Sequence, residues 1–132
     1  MVLNILQPID FIEITSFFEI VITYNYGISF GFLSSLKLPV FVYGVGAGSI
    51  VIMLTVWMLR SQNSLFVLSL AFMIGGAIGN LIDRFTLGYV VDFLHFHWKE
   101  YSFPVFNMAD VFVSLGAAGI VLDSFLRKEE TK

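Results

Sequence analysis

No cysteine occurs anywhere in the 132 residues. That excludes disulfides, thiol catalysis and thiolate metal sites, and it leaves the redox compartment open. Charge is scarce as well. Asp, Glu, Lys and Arg make up 13% of the chain, about half of the roughly 25% that an ordinary soluble domain carries. The net charge is −3 and no basic block is present, so nucleic acid and anionic lipid are poor candidates as main partners. Met1 to Asp10 lack the positive charges and small-residue cleavage site of a signal peptide.

What fills the chain is apolar. Hydrophobic residues make up 58% of it, with a mean hydropathy of +0.88. A water-soluble domain of this length has no core large enough to hide that much apolar surface, whereas a bilayer solvates it directly. The length allows one domain, so a single membrane-embedded domain over residues 1–132 is expected.

A spanning helix needs about 20 mostly apolar residues. Residues 39–59 carry no charge and end at Arg60; residues 64–82 are also uncharged and end at Asp83-Arg84; residues 108–126 carry Asp110 near the start and Asp123 near the end. The polar turn Arg60-Ser61-Gln62-Asn63 predicts that the first two spans form an antiparallel hairpin. Residues 1–38 read differently. Ile20-Val21-Ile22-Thr23-Tyr24 and Ile28-Ser29-Phe30 are β-branched and aromatic, separated by Asn25-Tyr26-Gly27, which predicts short strands around a turn at the membrane surface. Glu13 and Glu19 argue against a further span there. Residues 83–107 are expected to be an extracytoplasmic loop with a turn and strand over Leu87 to Val91, and an aromatic, polar interfacial loop from His95 to Tyr101. The fold expected is therefore an all-α integral membrane protein of three transmembrane helices, with a small β-rich extracytoplasmic platform.

Basic residues set the orientation. Arg60, Arg127, Lys128 and Lys132 fall on one side of such a bundle, and Lys37, Arg84 and Lys99 on the other. The positive-inside rule assigns the Arg60 turn and the C-terminus to the cytoplasm. Asp83, Asp92 and Asp110 then lie at the outer face.

An ionisable group at membrane depth is costly and is by default a functional candidate. Asp110 sits where helix N-terminal amides stabilise a carboxylate, and a helix cap built from Asn107 and Asp110 is an equally good account of its position. Asp92 interrupts the hydrophobic run Val90-Val91-Asp92-Phe93-Leu94, and surface exposure on a half-buried strand accounts for it as well. Taken together the two acids suggest more. Carboxyls that approach each other share one proton. One then takes a proton from water while the other donates to a carbonyl or a leaving amine, chemistry that needs neither metal nor cofactor.

Other motifs are weaker. His95-Phe96-His97 offers two metal ligands at most, and interfacial histidines without a metal are the commoner case. Gly44-Val45-Gly46-Ala47-Gly48 lies inside an apolar span without the strand-turn-helix context of a nucleotide loop. Close helix packing explains it, together with Gly75-Gly76-Ala77-Ile78-Gly79 and Gly116-Ala117-Ala118-Gly119. No serine has a nucleophile-elbow context.

Three blocks carry a family resemblance: Gly79-Asn80-Leu81-Ile82-Asp83-Arg84, Gly88-Tyr89-Val90-Val91-Asp92-Phe93, and Phe103-Pro104-Val105-Phe106-Asn107-Met108-Ala109-Asp110. In this order and spacing they resemble lipoprotein signal peptidase, or signal peptidase II. Tyr24-Asn25-Tyr26-Gly27-Ile28-Ser29-Phe30 looks like the family's Asn-x-Gly-x-x-Phe segment. The resemblance implies an aspartic endopeptidase of the bacterial inner membrane, multi-pass, with its active site facing outward. It implies cleavage of prolipoproteins before a diacylglyceryl-modified cysteine, membrane lipid as surroundings, and no cofactor and no metal. It assigns catalysis to Asp92 and Asp110, and supporting or substrate-binding roles to Asn25, Asn80, Asp83, Arg84 and Asn107, with Arg84 available to pair with Asp83. Val111 stands where the family usually has a serine. The family has four spanning helices, and the resemblance implies a chain whose numbering begins after the first. The alternative is an N-terminally shortened, non-catalytic membrane protein of the same fold that binds lipidated peptides.

Overall fold

The computed structural model describes residues 11–27 and 39–130. The chain divides into two compact units, Met1–Lys37 with Tyr89–Asn107, and Leu38–Gly88 with Met108–Lys132.

The first unit is a four-stranded antiparallel sheet in the order β1-β2-β3-β4. Its strands are β1 (Ile12–Thr15), β2 (Phe18–Asn25), β3 (Val90–Trp98) and β4 (Tyr101–Ser102). β2 carries Ile20, Val21, Ile22 and Thr23, whose branched Cβ atoms suit a pleated surface. Phe18 faces Phe96, Glu19 faces His95 and Ile20 faces Leu94; a bulge before Thr23 then resets the register so that Asn25 faces Val90. Alternation gives the sheet two characters. Phe18 and Phe96 stack at 4.7 Å between ring centroids, and Phe106 stacks on Phe96 at 6.0 Å, while Glu19, His95 and His97 occupy the intervening positions.

The strand expected around Ile20 to Tyr24 is present, and so is the turn at Asn25 to Gly27, where the Gly27 N–H donates to Asn25 Oδ1 at 2.9 Å. Ile28-Ser29-Phe30 and Lys37 lie outside the described residues. One expectation fails: His95 to Tyr101 is not a loop. β3 runs through His95 to Trp98 and hairpins into β4, with Lys99 in the left-handed region at φ 52. Cross-strand pairing of Phe96, His97 and Trp98 outweighs the polar content of this stretch.

The second unit comprises α1 (Val40–Arg60), α2 (Ser64–Leu87) and α3 (Met108–Glu130). All three are long and apolar enough to cross a membrane. The expected spans are present, but two ends move. α2 continues past Ile82 to Leu87, absorbing Asp83 and Arg84, and α3 continues past Leu126. A basic side chain in the last turn is favourable to the helix dipole, so charge does not end α2. Gly88 does, at φ 83, with its N–H on the Arg84 carbonyl at 3.0 Å. At 24 residues α2 is about 36 Å long, more than the roughly 30 Å hydrocarbon thickness.

α2 packs against both α1 and α3. Its contact with α3 is tight because glycines remove the side-chain layer. A Cβ at Gly116 meets the Ser69 carbonyl oxygen and Met73, one at Gly119 meets Ser69 Oγ, and one at Gly76 meets the Ala109 carbonyl oxygen. Small residues let helix backbones approach where lipid offers no hydrophobic drive to associate. The same account fails for Gly46, Gly48 and Gly75, around which 4 Å of space is open. Ser49, Thr55, Ser69 and Thr86 each send their hydroxyl to the carbonyl four residues back, at 2.7–2.8 Å, so these polar groups need no water. Leu54, Phe66 and Leu70 form the buried core. Leu59, Val45, Ile52 and Phe125 are 65–75% exposed, as expected of side chains that lipid solvates.

Candidate active site

Asp92 is buried, at 3% exposure, which rules out the half-exposed strand position that its sequence context allowed. Burying a carboxylate is costly unless donors surround it. Two asparagine amides do so: Asn25 Nδ2 donates to Oδ2 at 3.0 Å and Asn107 Nδ2 donates to Oδ1 at 2.8 Å. Asn25 is itself fixed, since its own oxygen accepts the Gly27 N–H. Edge-on and tilted ring contacts of Tyr24 and Tyr26 with Tyr89, at 4.9 and 5.4 Å between centroids, hold the same end of the sheet. Asn107 is delivered by the segment after β4, which folds back along β3. The Phe106 carbonyl accepts from the N–H groups of Phe93 and Leu94 at 2.9 and 2.8 Å, and the Phe106 N–H donates to the Leu94 carbonyl at 3.0 Å. That bridge puts Asn107, buried at 5% exposure, beside Asp92.

Asp110 belongs to the other unit, in the first turn of α3, where the dipole favours a carboxylate. It also reaches across to the neighbouring helix. Asn80 Nδ2 on α2 donates to Asp110 Oδ1 at 2.9 Å, a helix-to-helix bond on the seam that Gly76 opens. One turn further along α2, Arg84 Nη1 donates to the Asn80 carbonyl at 3.1 Å. Adjacent helix positions do not face each other, so the local Asp83–Arg84 pairing expected from sequence has no helical basis. Asp83 is half-buried on α2.

The seven site residues thus fall into two sets: Asn25, Asp92 and Asn107 in the sheet unit, and Asn80, Asp83, Arg84 and Asp110 in the helical unit. In each set an asparagine amide donates to a carboxylate oxygen and so orients the acid.

Some organised polar groups were missed. Asp123 is 4% exposed and accepts from Arg127 Nη2 at 2.8 Å, and the Arg127 guanidinium lies 5.5 Å from the centroid of the Phe66 ring. The i, i+4 spacing on an apolar helix was the available signal. Arg60 and Arg127 line one hollow at the Ser61–Asn63 end of the helical unit, so the bundle does gather these two cations at one end. His95 Nδ1 lies 2.6 Å from Glu19 Oε1, and its Nε2 lies 2.7 Å from Ser102 Oγ; neither contact is visible before the strands are in register. His97 Nε2 is buried without a hydrogen-bond partner among the described residues. Among those residues no group of three or more His, Asp or Glu side chains is arranged to hold a metal ion.

The sequence matches the family model for signal peptidase (SPase) II over residues 1–126. It is 44% identical over 128 residues to a lipoprotein signal peptidase of Nitrobacter hamburgensis, covering 92% of this chain and 77% of that protein. It is 42% identical over 124 residues to one of Rickettsia felis, covering 93% of this chain and 63% of the relative. A solved bacterial membrane enzyme, determined by the in meso method at 2.3 Å, superposes with a TM-score of 0.83 at 28% identity, over 93% of this chain and 75% of that one. With its three membrane-length helices and small antiparallel sheet, this multi-pass membrane chain belongs to the signal peptidase II family.

Proposed function

We propose that this chain acts, as one membrane-embedded domain, as an aspartic endopeptidase that removes signal peptides from prolipoproteins. The family is that of peptidases acting on such precursors; the aspartic mechanism and this chain's own activity are the inference. The observation that carries it is the treatment of the two acids. Asp92 is buried with an amide on each oxygen, and Asp110 is held by an amide from a second helix.

Chain connectivity supports a joint role. Asn107, which binds Asp92, precedes Asp110 by three residues, and three residues of backbone reach roughly 11 Å at most. In the proposed cycle the two carboxyls share one proton and one water. The ionised carboxyl takes a proton from water, whose oxygen attacks the scissile carbonyl carbon. The protonated carboxyl donates to the carbonyl oxygen, giving a tetrahedral diol. Collapse of the diol breaks the C–N bond: a diol hydroxyl returns its proton to the second carboxylate as the carbonyl re-forms, and the amine leaves with a proton from the first carboxyl. Asn25, Asn80 and Asn107 orient the acids, and Arg84 and Asp83 support the end of α2. Cleavage before a diacylglyceryl-modified cysteine fits helices whose apolar faces contact membrane lipid. We place the site in the bacterial inner membrane, facing outward, an orientation that the basic residues at the Arg60 end support.

The test is conversion of a lipidated precursor by the purified chain beside its Asp110→Asn form. Cleavage by the former alone supports the proposal. Equal cleavage by both, or binding of the lipidated peptide without cleavage by either, supports a non-aspartic or a non-catalytic reading respectively.

A further inference from the structure

The register of the sheet creates an arrangement that no motif announces. Glu19 on β2 faces His95 on β3, and Ser102 on β4 faces His97, two residues further along β3, so Glu19, His95 and Ser102 share one face across three strands, with Ser102 diagonal to His95. The tight hairpin at Lys99 and Glu100 fixes that register. Glu19 Oε1 lies 2.6 Å from His95 Nδ1, and His95 Nε2 lies 2.7 Å from Ser102 Oγ. A carboxylate oxygen only accepts, so Nδ1 carries the hydrogen and donates to Glu19. In the neutral ring Nε2 then has a lone pair and accepts from the Ser102 hydroxyl. Nucleophile, base and orienting carboxylate in hydrogen-bond sequence are the geometric mark of an activated serine, recognised by roles and not by position in the chain.

Two further observations bear on use. Ser102 is exposed, so its hydroxyl can be reached. It also lines a hollow of about 560 Å³ whose walls include Phe17, Phe96, Trp98, Tyr101 and Phe103, a volume within the range of small-molecule sites. Apart from His97 and Ser102 the walls are aromatic, which suits an apolar acyl or aryl group.

We propose that Ser102, His95 and Glu19 form a second nucleophilic site, distinct from the two aspartates, that takes an acyl group from an ester with an apolar acyl chain or aryl ring. Ser102 Oγ forms a bond to the ester carbonyl carbon, and its proton passes to His95 Nε2. The C–O bond to the alcohol breaks, and His95 returns the proton to the leaving alkoxide. Water then cleaves the acyl-serine by the same relay, releasing the carboxylic acid. Glu19 is a positioning residue that holds the ring and balances the imidazolium.

An alkyl fluorophosphonate tests this on the full chain in detergent micelles. Ser102 Oγ bonds to phosphorus, fluoride leaves, and the serine proton departs through His95 to solvent. The adduct is located by peptide mass spectrometry. The expected result is one modified serine, Ser102, with labelling abolished in Ser102→Ala and slowed by about 100-fold or more in His95→Gln, the usual scale of general-base assistance. Glu19→Gln keeps a hydrogen-bond acceptor but no charge and slows labelling less. Circular dichroism checks each variant, and if His95→Gln unfolds, Glu19→Gln decides. Adducts spread over the exposed serines, no adduct at Ser102, or a rate at Ser102 unchanged by loss of its partner overturns the proposal.

Discussion

The two units hold an acid by different means. In the sheet unit Asp92 is fixed by residues far apart in sequence, Asn25 from β2 and Asn107 from the segment after β4, and strand register brings both amides to it. In the helical unit Asp110 is fixed by Asn80 across a seam of small residues, where α2 and α3 approach because Gly76, Gly116 and Gly119 have no side chain. A sheet positions a carboxylate through long-range pairing and can bury it. A helix pair positions one through backbone proximity and leaves it half-buried. The consequence is a difference in what breaks each site: local side-chain changes for Asp92, and packing changes along the helices for Asp110.

The largest effect tests whether the two acids act together at all. Asp92→Asn and Asp110→Asn keep the side-chain shape but cannot exchange the proton, so each is expected to lower precursor cleavage by several orders of magnitude without unfolding the chain. His97→Ala is expected to keep most activity. Rates on a lipidated precursor, with circular dichroism of each variant, check this. A large loss in one aspartate variant only would dissolve the symmetry between the units.

Next come the amides. A hydrogen bond to a charged group contributes about 1.5–3 kcal/mol, and each 1.36 kcal/mol is tenfold in rate. Asn107→Ala and Asn80→Ala are therefore expected to slow cleavage by roughly 10- to 100-fold. Asn107→Ala has the larger effect because it strips a donor from the buried acid. The reverse order would show that the helical seam is the more exacting support.

Packing separates the units further. Gly116→Val drives a branched side chain into the Ser69 carbonyl and Met73 and is expected to cost about 1–3 kcal/mol, measured as a lower thermal midpoint in micelles. It is also expected to weaken the Asn80–Asp110 bond, and so to cut activity, while leaving the sheet's circular dichroism signal in place. Gly46→Ala meets open space and is expected to be neutral or to stabilise α1 by up to about 1 kcal/mol. The smallest effect distinguishes local from tertiary control of the helices. Asn63 caps α2 by accepting the Phe66 N–H at 2.8 Å, and Asn63→Ala is expected to lower stability by about 1 kcal/mol with cleavage unchanged per folded molecule.

Much of this molecule was legible in the residues themselves. Apolar runs of membrane length determined the three helices, because a bilayer imposes one requirement, about 20 apolar residues, that composition alone reveals. β-branched residues at Ile20 to Thr23 and an Asn-x-Gly turn determined the strand and the turn that carry Asn25. The motif blocks named Asp92, Asp110 and their asparagines. The true end of α2 at Gly88 was also within reach, since the glycine is a stronger stop than the Asp83-Arg84 pair that suggested an earlier one.

Tertiary structure decided what depends on contacts between distant residues. Whether Asp92 was a solvated strand residue or a buried acid rested on the Phe106 bridge, and nothing near Asp92 in sequence encodes that bridge. Which glycines serve packing rested on the partner helix: Gly116 has the Ser69 backbone against it, and Gly46 has nothing. The grouping of Glu19, His95 and Ser102 exists only once three strands are in register, for a one-residue slip in β2 or β4 turns Glu19 or Ser102 to the opposite face. Periodicity and composition are properties of a segment and survive in the sequence. Register and interhelix approach are properties of pairs of segments, and only the folded chain fixes them.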